Sequence, residues 1–188
     1  MTEMEIVKVT APMTAEELLQ LPHAERRYEL IKGELKEMSP TSSRHGRIAN
    51  IISFLLTQHV LDHKLGVVYA AKTGFKLREN PDTVRTADVA FIAQSRIPPE
   101  GEPEGYWAIA PDLVVEVVSP SDSALAMQAE VTDWLTAGCR LIWAVYPDTQ
   151  TVTEYHSLAE IRVLTATEIL TGGEVLPSFI CPISQIFG

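Results

Sequence analysis

A chain of 188 residues, 46% of them hydrophobic, is long enough for one domain with a substantial core and too short for two generous ones. Its formal net charge of -10 argues against a protein that holds nucleic acid through bulk positive charge, so any such contact must come from a local patch or a metal ion. Two distant cysteines, Cys139 and Cys181, fit buried reduced thiols, and the acidic N-terminus and the lack of any long apolar run point to a soluble, cytoplasmic protein with no membrane span.

Residues 1–13 read as a flexible N-terminal arm. Thr14, with Glu17 three residues on, predicts a capping box at the start of a short helix. Arg27 to Met38 alternates apolar and charged residues around Lys32-Gly33, a β-hairpin signal that Ser39-Pro40 closes. From about Ser43 to His63, Ile48, Ile51, Ile52, Leu55, Leu56 and Val60 recur at helical spacing and predict one long amphipathic helix packed on a sheet face.

Val67 to Leu77 and Val84 to Ala93 read as two strands joined by the turn Glu79-Asn80-Pro81-Asp82, and Pro98 to Gly105 as a loop able to cover a site. Leu113 to Val118 is an apolar strand. A helix from about Asp122 to Ala137, a Gly138 stop and the strand Leu141 to Tyr146 follow, an order that predicts a parallel crossover. Short strands alternate with turns through the tail, at Thr151 to Tyr155, Ile161 to Leu164 and Gly172 to Phe187.

The chemistry concentrates in Thr86-Ala87-Asp88-Val89-Ala90-Phe91-Ile92 and Leu113-Val114-Val115-Glu116-Val117-Val118, where each apolar run carries one acid. An ionised carboxylate among apolar residues costs several kcal/mol unless it is compensated, and a bound cation is a common compensation when acids come in pairs. If the two strands are neighbours, Asp88, Glu116 and the carbonyl of Val117 form an oxygen-rich site suited to Mg2+ or Mn2+. Such an ion can activate water for attack on a phosphodiester. The competing reading pairs Glu116 with Arg85 or Lys76 and needs no metal.

Other residues invite blander readings. Asp82 and Asp112 each follow a proline, yet sit at a turn and at the start of a strand. Trp134 and Trp143 read as core, and His45, opening the long helix, as a capping or exposed residue. His23, His59, His63 and His156 show no ligand spacing with acids.

The order hairpin, helix, strand with Asp, strand with Glu, helix, strand resembles the restriction-endonuclease-like PD-(D/E)XK fold. More closely, Arg27-Tyr28-Glu29-Leu30-Ile31 with Gly33-Glu34, His45, Thr73-Gly74-Phe75-Lys76-Leu77, Asp88-Val89, Val115 to Asp122, Trp134-Leu135 with Ala137-Gly138, and Val175-Leu176-Pro177 with Phe179 and Ile186-Phe187 are similar to the Uma family of that superfamily. The resemblance spans residues 14 to 188. It implies a single α/β domain with a central mixed β-sheet flanked by helices, an N-terminal hairpin and short C-terminal strands. It also implies a metal-dependent endonuclease that hydrolyses DNA, needs no organic cofactor and works as a homodimer. Asp88 and Glu116 become the metal-binding acids and Glu29 an accessory acid.

The chain departs from the superfamily pattern at three places. Ala87 replaces the proline before the first acid, Val118 stands at the superfamily's lysine position, and Glu130 stands where a helical lysine is common in the family. No Lys or Arg occurs between Arg96 and Arg140. Glu130 or Gln128 is then expected to take the lysine's role, as in superfamily members that use Glu or Gln there, with Lys72 or Lys76 as alternatives from the sheet. The same departures support a rival reading, a catalytically degenerate nuclease fold serving as a binding or assembly module. A third reading is a partner for basic proteins that uses the acidic surface.

Overall fold

The computed structural model describes residues 11–21, 27–71 and 73–188; the first ten residues of the expected arm and Lys72 lie outside the described residues. Helix α1 (Ala15–Leu19) begins with the expected box, Thr14 accepting from the Glu17 N–H and the Glu17 side chain accepting from the Thr14 N–H. Strands β1 (Arg27–Ile31) and β2 (Glu34–Met38) form the hairpin, with Lys32 and Gly33 both at positive φ in its turn. Gly33 is needed there for space as well, because a Cβ would meet Pro12 Cβ at 2.3 Å.

Helix α2 runs Ser43–His63, capped by Ser42, whose hydroxyl accepts from the His45 N–H. The next two expected strands are each split. The first becomes β3 (Gly66–Ala70) and β4 (Gly74–Arg78), and the second becomes β5 (Thr83–Thr86) and β6 (Val89–Ala93). In both cases the chain changes sheet at the break. A four-stranded antiparallel sheet has the order β2-β1-β5-β4. With β7 (Leu113–Val117), β8 (Leu141–Tyr146), β9 (Thr151–Tyr155) and β10 (Ile161–Leu164), a six-stranded mixed sheet has the order β10-β9-β8-β7-β6-β3. Asp88 therefore sits at the corner between sheets and not inside a strand, which corrects the premise that both acids are embedded in β-runs.

Strands β7 and β8 are the parallel pair, joined by α3 (Ala124–Thr136). Ser123 caps α3, so it begins later than expected, while Asp122 folds back to accept from the Ser119 N–H. The tail closes with β11 (Ile169–Gly172), β12 (Leu176–Pro182) and an unforeseen short helix, α4 (Ile183–Phe187), whose Ile183, Ile186 and Phe187 are buried.

The central strands are apolar on both faces because both are covered. On one side, Ile48, Ile52, Leu56 and Val60 of α2 pack with Val89, Phe91, Val115, Val117 and Trp143, joined by β12 and α4. On the other, Met127, Val131 and Trp134 of α3 pack with Ala90, Ile92, Val114, Ile142, Phe75 and Trp107. The outer sheet has a smaller core of Leu18, Leu30 and Val84 on its far side. Its near side faces α3, and charged residues gather in that cleft.

Candidate functional site

Strands β6 and β7 are antiparallel with Val89 opposite Val115, and extending that register by one residue sets Asp88 across from Glu116. Leu113, Val115 and Val117 share the α2 face, so alternation turns Glu116 toward α3 with Val114. There its Oε1 accepts from Trp134 Nε1 at 3.1 Å. Asp88 Oδ2 accepts from the Val117 N–H at 2.8 Å and lies 3.0 Å from His45 Nε2.

His45 is thus neither a cap nor exposed. It is buried, and the Asp88 hydrogen bond raises its pKa against the opposing effect of burial. The sequence did carry a signal for this placement. His45 precedes Ile48, Ile52, Leu56 and Val60 at helical spacing, on the stripe that faces the sheet.

A second group of charges adjoins the first. Glu29 on β1 is fully buried, accepting from the Thr86 N–H at 2.9 Å and from Arg85 Nη1 at 3.0 Å. Arg85 on β5 is 3% exposed and also reaches Asp133 Oδ2 at 2.7 Å and Glu130 Oε1 at 3.9 Å, both on α3. Arg85 and Asp133 were not foreseen as site residues. An Arg inside Thr83-Val84-Arg85-Thr86 is the same kind of signal as an acid in an apolar run.

The carboxyl groups act on one another. Burial, then Glu130, Asp88 and Glu29, hold the Glu116 carboxyl well above the usual carboxylate range. Burial followed by Glu29 pushes Glu130 up to about 7, although Arg85 and Lys36 pull it down. Glu29, Asp88, Glu116 and Glu130 therefore share one electrostatic environment with an excess of negative charge. Gln128 is elsewhere: it is exposed, and two residues of helix separate it from Glu130 by about 160° around α3.

Lys76 is held by Glu16, Glu79 and Asp82, so it does not reach Glu116. Arg85 pairs with other acids, and among the described residues Glu116 has no basic partner within 4 Å, which removes the reading of Glu116 as a simple ion pair. Asp82 accepts from the Ala15 N–H. Asp112 accepts from the Ala93 N–H and pairs with Arg96 and Arg140, so both aspartates have structural partners.

Among the described residues no three His, Cys, Asp or Glu side chains close on a single point as a ready-made ion cage. The donor set nonetheless suits a hard cation. Asp88, at the corner before β6, and Glu116, on β7, offer carboxylate oxygens, and a divalent ion would offset both the burial and the neighbouring acids that raise the Glu116 pKa.

Comparison with known proteins identifies the family and the fold. The Uma2 family model, described as "Putative restriction endonuclease", matches residues 15–184. A crystal structure from Anabaena variabilis ATCC 29413, described as "a putative nuclease belonging to DUF820", superposes with a TM-score of 0.81 at 23% identity. The match covers 94% of this chain and 98% of that one, which establishes a common fold. Comparison with curated proteins gives no match.

Proposed function

The chain belongs to the Uma2 family, and from that premise we propose that it is a metal-dependent endonuclease that hydrolyses phosphodiester bonds in DNA, residues 14–188 working as one unit. The observation that carries the reading is Asp88, at the corner before β6, set across from Glu116 on β7, whose pKa burial and its acidic neighbours raise. Asp88, Glu116 and the Val117 carbonyl would hold Mg2+ or Mn2+. A divalent ion bound there supplies a water of lowered pKa and offsets charge on the leaving oxygen.

The protein's own groups prepare that site. The Val117 N–H and His45 fix Asp88 through one oxygen, and Trp134 fixes Glu116 through Oε1. Such supporting bonds set the orientation of ligating carboxylates. Arg85 offsets the buried charge of Glu29 and ties β5 to α3. Glu130, with its pKa near 7, can hold or release a proton at neutral pH beside the reacting groups, which suits general acid or base work. Gln128, on the other flank of α3, has no part in this scheme.

The test is nicking of supercoiled plasmid and of single-stranded DNA with Mg2+ or Mn2+, comparing wild type with an Asp88→Ala/Glu116→Ala double variant. Cleavage by wild type alone supports the reading, and equal cleavage by both removes it. Double-strand cutting by a site of this size calls for two copies, so a homodimer is expected; a monomeric mass by sedimentation at micromolar concentration would remove that part.

One observation favours a second reading. Val118 and Glu130 occupy positions where a lysine is expected, and a site without a cation to meet phosphate would suit a degenerate binding module. Metal binding by folded wild type without cleavage of any DNA form would select it.

A further inference from the structure

The proposed nuclease site needs a positive group that meets the phosphodiester, because the acids that hold a metal also repel an anionic substrate. The buried cations cannot serve. Arg85 is enclosed by three acids, and His45 is engaged with Asp88. Lys76 is held by its own three carboxylates, and β7 and α3 carry no Lys or Arg.

The hairpin supplies one. Lys36 on β2 is the cross-strand partner of Glu29, so both side chains project from the same face of the outer sheet, the face that meets α3. Glu29 is buried beneath while Lys36, on the edge strand, is exposed. Among the described residues no carboxylate lies within 4 Å of the Lys36 ammonium. Its register opposite buried Glu29 sets it at the mouth of the carboxylate cluster, and its charge lowers the Glu130 pKa.

We propose that Lys36, delivered from the N-terminal hairpin and not from the motif strand or α3, is the catalytic cation that engages the scissile phosphodiester at this site. The assignment rests on the nuclease reading. The ammonium donates hydrogen bonds to a non-bridging phosphate oxygen and offsets the charge that builds there during hydrolysis, and no covalent bond to the lysine forms. The lysine then reaches the phosphate from the outer sheet, while the acids that would hold the metal stand on β7 and at the corner before β6.

The experiment combines binding and cleavage in Lys36→Met, Lys36→Arg and a control, Lys64→Met. Lys64 is exposed at the C-terminal end of α2, roughly 28 Å along that helix from His45. Binding of a short fluorescent DNA duplex is followed by anisotropy in Ca2+ across a salt series, and cleavage in Mg2+ or Mn2+ under single-turnover conditions. Lys36→Met is expected to weaken binding about tenfold, to reduce the slope of log K against log salt by about 0.9, and to slow cleavage by about a hundredfold. Lys36→Arg should keep binding and its slope, and Lys64→Met should match wild type.

Wild-type affinity, slope and rate in Lys36→Met overturn the assignment while leaving the nuclease reading intact. Equal losses in Lys36→Met and Lys64→Met also overturn it, since that is a net-charge effect. Loss of binding in Lys36→Met with no cleavage by wild type supports the phosphate contact and removes the nuclease reading. A wild type that neither binds nor cuts removes both.

Discussion

The protonation of Glu130 gives a quantitative handle on the site. An acid whose folded pKa is raised from 4.5 to about 7 binds its proton more tightly in the folded than in the unfolded chain. Stability linked to it is therefore full below about pH 4.5 and is lost as pH rises through 7. At roughly 1.4 kcal/mol for each tenfold change in proton affinity, the loss approaches about 3 kcal/mol. The Glu130 side chain is 21% exposed, so solvent screens it in part and that figure is a ceiling. Ionised Glu130 in turn raises the Glu116 pKa, so the two titrations are linked. In Glu130→Gln the ionisation is removed while the shape is kept. Thermal melts of the two proteins should coincide near pH 4 and diverge by pH 8.5, the variant melting up to about 6–12 °C higher for a chain of this length. Adding Mg2+ at pH 8.5 should narrow the gap, because an ion held by Asp88 and Glu116 offsets the charge that destabilises wild type. A difference in melting temperature that stays constant between pH 4 and pH 8.5 would refute the electrostatic account of the cluster.

Three further perturbations separate the parts. Arg85→Met leaves Glu29 buried beside Asp133 and Glu130 without a cation, and urea unfolding should show a loss of about 3–5 kcal/mol; a loss below about 1 kcal/mol would mean that the buried network is not what joins β5 to α3. Trp134→Phe keeps the ring in the core but removes the donor to Glu116, and Mn2+ titration calorimetry should give about tenfold weaker binding, an unchanged affinity arguing against Glu116 as a ligand. Asp112→Ala strips Arg96 and the Ala93 N–H of their acceptor and should lower stability by about 3 kcal/mol with Mn2+ affinity unchanged, whereas reduced affinity would place Asp112 in the functional machinery.

Much of the scaffold is legible where periodicity is strong. The spacing of Ile48, Ile52, Leu56 and Val60 marks α2, and the apolar runs around α3 mark the parallel β7 and β8. The exchange of strands between two sheets is not legible, because a β-run looks the same whichever sheet receives it. Its traces are small: the short breaks after Ala70 and at Ala87-Asp88, and Gly74, where a Cβ would lie 2.3 Å from the Tyr106 ring. Asp88 and Glu116 stand out in the sequence as acids in apolar runs, and the register sets them across from each other, but Asp88 is at a corner and not inside a strand. Long-range partners were harder still. Arg85 could be seen as a cation near the acids, but only the placement of the outer sheet against α3 directs it to Glu29, Glu130 and Asp133 and away from Glu116.

The same placement bears on how a site can work with Val118 where a lysine is expected. Glu29, Asp88, Glu116, Glu130 and Asp133 bring five carboxyl groups together, and Arg85 and His45 are the basic groups inside them. Had Glu130 been a lysine, it would have stood beside Arg85 at the distance now recorded between them, 3.9 Å, and two buried cations would have repelled each other there. With Arg85 already bound between the outer sheet and α3, an acid at position 130 is the electrostatically consistent choice. The positive group for an anionic substrate must then come from outside the buried network, on the side where the hairpin opens to solvent.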